Sequence, residues 1–298
     1  STHKIESDEV LAKATPAHGA KALKLTGHNR QPSLCLQFVT LLKRAANDVK
    51  RNPLRGKAQV GQSVAFSIII TLIWFQMGND QNGVQDRSGV LFILAANGMM
   101  NNVMGVLTTF ANERAAVIRE QENRMYHTLP YFAARVLIDL PLKILCPALT
   151  VSISYFAIGL RAEFERFVTT VITCILLGLS GNSIGLFLAC IMSDVAVALL
   201  IAPLIILPLM MFSGFFLNTA SFPIYLTWLE WLSPMKYAYA ALAQNEFSGL
   251  ELRCTNDQLR EVFDQSGNPV FICPVSSGDI FLDGLNIQPF LTISTCQL

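Results

Sequence analysis

The sequence predicts an all-α polytopic membrane protein. Of its 298 residues, 52% are hydrophobic and 14% charged, against roughly 25% charged in an average soluble domain. The mean hydropathy is +0.44. The apolar residues are gathered into several long runs, and a soluble core has no use for so much apolar surface in that form. Two of these runs, Phe167 to Met192 and Val195 to Leu217, are separated only by Ser193 and Asp194. Each is long enough to cross ~30 Å of hydrocarbon as a helix. A two-residue break permits only a tight reversal, so the pair reads as a helical hairpin with Pro203 and Pro208 in its second leg.

The remaining elements are placed around that hairpin. Residues 1–33 are polar, without sustained periodicity, and read as a cytoplasmic linker. The chain starts at Ser1 with no charged-then-apolar leader, so it is expected to be cut or processed from a longer polypeptide. Over residues 34–57, apolar positions Leu34, Phe38, Leu41, Leu42, Ala45 and Val49 recur at helical spacing, with Lys43, Arg44, Lys50, Arg51, Arg55 and Lys57 on or just after them. That pattern is an amphipathic basic helix lying along a membrane surface. Residues 58–217 hold five spans. The first runs from about Ala58 to Met77, the second from Gly89 to Ala111 and the third from Arg135 to Leu160; the hairpin supplies the fourth and fifth. Asp139 and Lys143 stand four apart with the acid first, the favoured order for an ion pair on one helix face.

Orientation follows from the bases. Six precede the first span, and Arg114, Arg119, Arg124 and Arg135 lie around the connection between the second and third. The positive-inside rule therefore makes the N-terminus and that connection, residues 112–130, cytoplasmic. Its acids and bases alternate around Ala115, Ala116, Val117 and Ile118, a docking surface for a cytoplasmic partner. Residues 218–298 then lie outside. This segment is acidic, and its first part carries Tyr225, Trp228, Trp231, Tyr237 and Tyr239 with prolines at Pro223 and Pro234. Pieces so short and aromatic fit re-entrant helices dipping into the outer leaflet.

Little in the sequence points to catalysis. Gly56-Lys57 lacks the upstream glycine of a nucleotide-binding loop. Leu179-Ser180-Gly181-Asn182-Ser183 lies in the middle of a span, where small residues serve helix packing. His3, His18, His28 and His127 show no metal spacing, and no catalytic group stands out. Cys35, Cys146, Cys174 and Cys190 sit in or beside apolar runs as small hydrophobes. Cys254, Cys273 and Cys296 lie in the outer segment, with room there for one disulfide and one unpaired thiol. The second span carries Asn97, Asn101 and Asn102; two readings stay open, a polar lining for a central pathway or interhelical hydrogen bonding.

Several motifs occur in a telling order: NERAAVIREQENRMYHTLPYFAARVLIDLP, MMFSGFFLN, WLEWLSPMKYAYAALAQNEFSG, then two cysteines ahead of SSGDIFLDGLNI. Together they resemble the transmembrane domain of G-subfamily ATP-binding-cassette half-transporters, the White eye-pigment type, over roughly residues 35–287. The resemblance implies six spans, of which five are present here, and a sequence after Asn286 that departs from the family's approach to a sixth. It implies a connecting helix at residues 34–57 and coupling to an ATPase domain through Glu113, Arg114, Glu120 and Arg124. Substrate contact is implied for Phe92, Ile93, Asn97 and Met100 of span two and Leu207 and Met210 of span five. Phe215 and Phe216 match the family's apolar plug, as a bulkier aromatic gate, and Cys254 and Cys273 match its intrachain disulfide, leaving Cys296 for a bridge between subunits. No Asn-x-Ser/Thr sequon occurs in the chain, whatever the outer loop carries in relatives.

The expected function is therefore the substrate-translocating part of a dimeric ATP-driven exporter of amphipathic or lipid-like small molecules: a pigment precursor, sterol, lipid or drug. The expected partners are the bilayer of a plasma or vesicle membrane, an identical or different second half-transporter, and an ATP-binding cassette ahead of Ser1. Nucleic acid is not among them. ATP and Mg would be held by that cassette, with no cofactor in this chain. The competing expectations are an ion-coupled carrier or channel, which calls for ionisable residues at midmembrane depth, and a non-transporting membrane subunit.

Overall fold

The computed structural model of the protein describes residues 33–78, 80–123, 125–192, 194–216, 227–252, 260–263, 269–272 and 277–285. In chain order the helices are α1 (Leu34–Arg51), α2 (Pro53–Ile73), α3 (Gln81–Glu122), α4 (Thr128–Ile158), α5 (Phe164–Ile191), α6 (Val195–Met211), α7 (Thr227–Leu232), α8 (Pro234–Phe247) and α9 (Gly278–Gly284). Between α8 and α9 a small ribbon pairs β1 (Arg260–Phe263) with β2 (Pro269–Ile272) antiparallel, Arg260 opposite Ile272. Four helices among the described residues are long and apolar enough to cross a membrane: α2, the Gly83–Phe110 part of α3, α4 and α5. α6, at 17 residues, is a shorter apolar helix.

Several boundaries differ from those read in the sequence. The first span begins earlier than Ala58, because Pro53 needs no amide partner in a first helical turn and is tolerated there. The second span begins earlier than Gly89, since α3 starts at Gln81. Arg87 is thus an inward-facing helical residue. The connection at residues 112–130 starts as the continuation of α3, which runs unbroken for 42 residues before the turn ahead of α4.

α3 is the central helix, buried through Val90, Leu91, Leu94, Ala95, Met99, Val103 and Leu107. Its most extensive neighbour is α5. Apolar side chains gain nothing by leaving lipid for one another, so the contact depends on close backbone approach and packing. Glycines on one face of α5 permit it. A Cβ on Gly181 would stand 2.9 Å from the Met99 carbonyl oxygen, and one on Gly185 the same distance from that of Val103. The small-residue run of the fourth span is therefore a packing surface.

The hairpin turn between α5 and α6 is closed locally. Asp194 precedes α6 and its carboxylate accepts the Ala196 amide at 3.0 Å, satisfying a first-turn donor. α6 lays Ala198, Ala202, Ile206 and Leu209 inward and leaves Leu200, Leu204 and Leu207 exposed. At its far end the Ser233 hydroxyl donates to the Leu209 carbonyl at 2.6 Å while accepting the Lys236 amide at 3.4 Å, which joins the end of α6 to the start of α8. α8 buries Met235, Tyr239, Leu242, Ala243 and Phe247 against α3 and α5. α7 keeps Trp228, Trp231 and Leu232 exposed, with the Lys236 ammonium 5.4 Å from the Trp231 ring.

One buried ion pair ties this end together. Arg87 of α3 meets Glu246 of α8, their side chains 4% and 2% exposed. Arg87 also donates to the Gly159 carbonyl at 3.1 Å, and the other Glu246 oxygen accepts the Arg161 amide at 3.3 Å.

Two stability outcomes follow. Gly181→Val forces backbone apart and should cost about 1–3 kcal/mol. Gly61→Ala, with nothing within 4 Å of the new methyl, should raise the thermal midpoint of the detergent-solubilised protein through a helix propensity gain of ~1 kcal/mol. Equal midpoints for both variants would contradict the close α3–α5 contact. Glu246→Gln, stranding the Arg87 charge, should destabilise by about 3–5 kcal/mol, and Arg87→Met with Glu246→Leu by much less.

Candidate functional site

The functional features are strung along α3 in three zones. At the α8 end lies an aromatic cluster. Phe92 stacks on Phe215, ring centroids 4.7 Å apart and planes 13° from parallel. Phe216 meets Phe92 edge-on at 5.0 Å and Phe215 at 4.9 Å. Tyr239 stands edge-on to Phe215 at 5.7 Å. Such arrangements are favourable by ~0.5–1.5 kcal/mol per pair beyond burial. Gly214, at φ 86°, supplies the left-handed turn that swings Phe215 and Phe216 back over the end of α6.

The middle zone is a cavity of about 1030 Å³ between α1, α2, α3 and α4, with Cys174 of α5 in its wall. Asp48, Arg55, Glu113, Arg135 and Asp139 line it toward α1. Then come the amides Gln59, Gln62, Asn97, Asn101 and Asn102 with Lys143, and beyond them Leu94 and Val151. The amides are linked. Gln62 donates to Asn101 at 3.2 Å, and Asn101 donates to Asn97 at 2.7 Å. Asn102 turns away to the Gly98 carbonyl at 2.7 Å, in the space that Gly178 leaves open. Both readings of the asparagines thus have a footing: Asn101 bonds between helices, and all three line the cavity.

The third zone, at the α1 end, is a charged clamp. Arg44 of α1 grips Glu120 of α3 with both guanidinium nitrogens, at 2.7 and 3.1 Å. The Tyr126 hydroxyl donates to the same carboxylate at 2.7 Å. The Arg44 and Tyr126 hydrogen bonds hold the Glu120 carboxyl below the ordinary carboxylate range. Buried Gln37 of α1 accepts the His127 amide at 3.0 Å. Arg135 bridges Glu113 at 2.8 Å and Asp139 at 3.4 Å. Burial raises the Glu113 carboxyl despite Arg135 and Arg55 nearby. Arg114 donates to the Met192 carbonyl beside the hairpin turn.

The sequence-predicted residues are distributed over these zones. Phe92 joins Phe215 and Phe216 in the aromatic cluster, 8% exposed. Asn97 lines the cavity. Ile93, Met100 and Met210 are partly buried against the core, and Leu207 is 55% exposed on the outer side of α6. Glu113, Arg114 and Glu120 reach α4, the hairpin turn and α1 respectively. Arg124, Cys254, Cys273 and Cys296 lie outside the described residues.

One pairing expected from the sequence does not form. Asp139 is engaged by Arg135, one turn earlier on α4, so the Asp139–Lys143 bridge is absent and Lys143 faces the cavity. The run Arg135, Asp139, Lys143 offers the acid two bases at equal spacing. Only the neighbouring helices choose between them. Lys143, Gln59 and Gln62 were not foreseen as cavity residues; their signal was polarity within or beside apolar helical runs.

The ABC-2 type transporter family matches residues 36–247. Protein white of Ceratitis capitata is 29% identical over 286 residues, 95% of this chain and 40% of the relative. Protein white of Drosophila melanogaster is 31% identical over 265 residues, 88% and 37% respectively. The broad substrate specificity ATP-binding cassette transporter ABCG2 of Bos taurus is 32% identical over 218 residues, 73% and 33% respectively. The chain spans about two fifths or less of the length of these relatives.

The clamp carries a pH signature. Since the folded-state Glu120 pKa is depressed, its stabilisation is present in full above the unfolded carboxylate pKa of ~4.3 and is lost as pH falls through the lower, folded value. The Arg44 side chain is 59% exposed, so the contribution is solvent-screened, ~0.5 kcal/mol. Hydrogen exchange of the α1 amides, corrected for intrinsic rates, should be unchanged from pH 8 to about 5 and faster below ~4. Glu120→Gln should show the faster exchange already at pH 7.

Proposed function

This chain belongs to the ABC-2 type transporter family, as a membrane domain of its G-subfamily branch, and from that premise we propose that it translocates amphipathic or lipid-like small molecules as half of a dimeric ATP-driven exporter. In this reading an ATP-binding cassette precedes the membrane domain in the full polypeptide, holds ATP and Mg, and lies on the same side of the membrane as α1. The basic residues of α1 support that placement by the positive-inside rule. A second copy or a related half-transporter completes the assembly, in a plasma or vesicle membrane.

The observation that carries the mechanism is the continuity of α3. One helix holds both Glu120 of the clamp and Phe92 of the aromatic cluster, 28 residues apart or ~42 Å along the axis. Movement of the cassettes would reach α1 and the Glu120 region, tilt α3 against the glycine face of α5, and part Phe92 from Phe215. A substrate can bias this exchange only through unequal affinity for the closed and open forms. Asn97, in the cavity wall, would supply a polar contact to the substrate, with Met100 and Met210 in sequence-implied apolar roles.

Reconstituted full-length protein tests the gate. Phe215→Ala removes ring contacts with Phe92, Phe216 and Tyr239, ~0.5–1.5 kcal/mol each. Opening should become easier by a factor on the order of ten, seen as higher basal ATP hydrolysis and less substrate moved per ATP. Asn97→Ala should lower substrate-stimulated hydrolysis with basal hydrolysis retained. Wild-type stimulation and transport in both variants would remove these residues from the pathway.

A further inference from the structure

We propose that the cavity between α2, α3 and α4 is a site for an amphipathic anion, its carboxylate, sulfate or phosphate headgroup held by Lys143 and its apolar part directed toward Leu94 and Val151. The inference deepens the exporter reading and rests on it. It starts from an ammonium that faces the cavity and that no chain atom pairs with directly among the described residues. Lys143 is 6% exposed, yet it has no hydrogen bond or ion pair among the described residues. An ammonium withdrawn from water is costly unless a counter-charge or donor-accepting group meets it. Its one acid within helical reach, Asp139, is in contact with Arg135 and acts on Lys143 only through space. On the α3 side the facing residue is Gly105; a Cβ there would stand 3.7 Å from Nζ and 3.3 Å from Gln59 Nε2. That space belongs to the cavity, which both residues line.

The surroundings fit a headgroup better than a lone ion. Arg135 is in direct contact with both Glu113 and Asp139, whereas Lys143 feels Asp139 and Arg55 only through space, with the amides of Gln59 and Gln62 on the same cavity wall. Gln59 and Gln62 bring amide donors to the same level. Past Lys143 the α4 wall becomes apolar, reaching Val151 eight residues on, ~12 Å farther along the helix. A cation at the boundary between a charged mouth and an apolar floor selects a molecule with one acidic end and one greasy end. Neutral sterols and cationic drugs lack the partner that Lys143 requires.

The test uses the full-length transporter in phosphatidylcholine nanodiscs with a fluorescent sixteen-carbon fatty acid and its methyl ester as probes. The wild type should bind the carboxylate tighter than the ester by about tenfold or more, as a charge-assisted contact warrants. Lys143→Gln should erase that preference and Lys143→Arg should keep it. Gly105→Ala, whose methyl would crowd the Gln59 amide and fill the space in contact with Lys143 Nζ, should weaken carboxylate binding, which keeps the site testable if the glutamine variant fails to fold. Adding phosphatidylserine to the discs separates the sources: displacement of the probe identifies a bilayer lipid as occupant, and displacement by soluble alkyl carboxylate alone identifies a small amphipathic anion. Either result sustains the site. Equal wild-type affinity for acid and ester, or an intact preference in Lys143→Gln, overturns it. Should that happen while ATP-driven transport persists, this inference alone falls; loss of transport by the wild type would instead sink the exporter reading.

Discussion

Close contact between the backbones of α3 and α5 is the constraint on which the other features depend. Inside a bilayer no solvent drives apolar helices together, so shape must do it. Gly181 and Gly185 let the Met99 and Val103 carbonyls of α3 approach α5 to a distance that any side chain would prevent. Gly178, on the same face, leaves room for Asn102. With α3 held in that rotation, Asn97 and Asn101 turn toward α2, and its other side reaches α6 and α8. The cavity and the aromatic cluster are consequences of one helix face being spoken for.

α3 then acts as the common member of three unlike environments. Its far end is pinned by a desolvated ion pair and by rings; its middle borders a polar cavity; its near end is gripped by solvent-screened charges. The graded strength suits a lever. The Arg87–Glu246 pair is buried and further bonded through Gly159 and Arg161, which makes the α3–α8 junction a fixed point. The clamp is partly exposed and weaker. Stacked rings occupy the intermediate position, as they hold by shape and release without leaving a charge behind.

The hairpin at residues 191–195 belongs to the same system. Its turn is capped by Asp194, and Arg114 of α3 donates to the Met192 carbonyl at its edge. α6 carries the turn's position to Ser233 and to the Phe215 side of the cluster through a short, proline-containing helix. Motion at the α1 end therefore has two covalent routes to the aromatic cluster, α3 and α6, and the glycine face of α5 lies between them.

Much of the fold was legible from sequence, because bilayer thickness and apolar run length are local quantities. The helical membrane class, the positions of the apolar helices and the amphipathic α1 all follow from composition and spacing. The amides of α3 and the rings of Phe215 and Phe216 stood out as residue types, before any contact was known. Tertiary structure decided their partners. Arg87 and Glu246 lie 159 positions apart, and each taken alone reads as an ordinary loop charge. Phe92 stacking on Phe215, Asp139 choosing Arg135 over Lys143, and Lys143 remaining unpaired all depend on how helices are rotated about their own axes. That rotation is set by the sum of contacts between distant segments, above all the glycine-mediated approach of α5 to α3, and no local pattern in the chain encodes it.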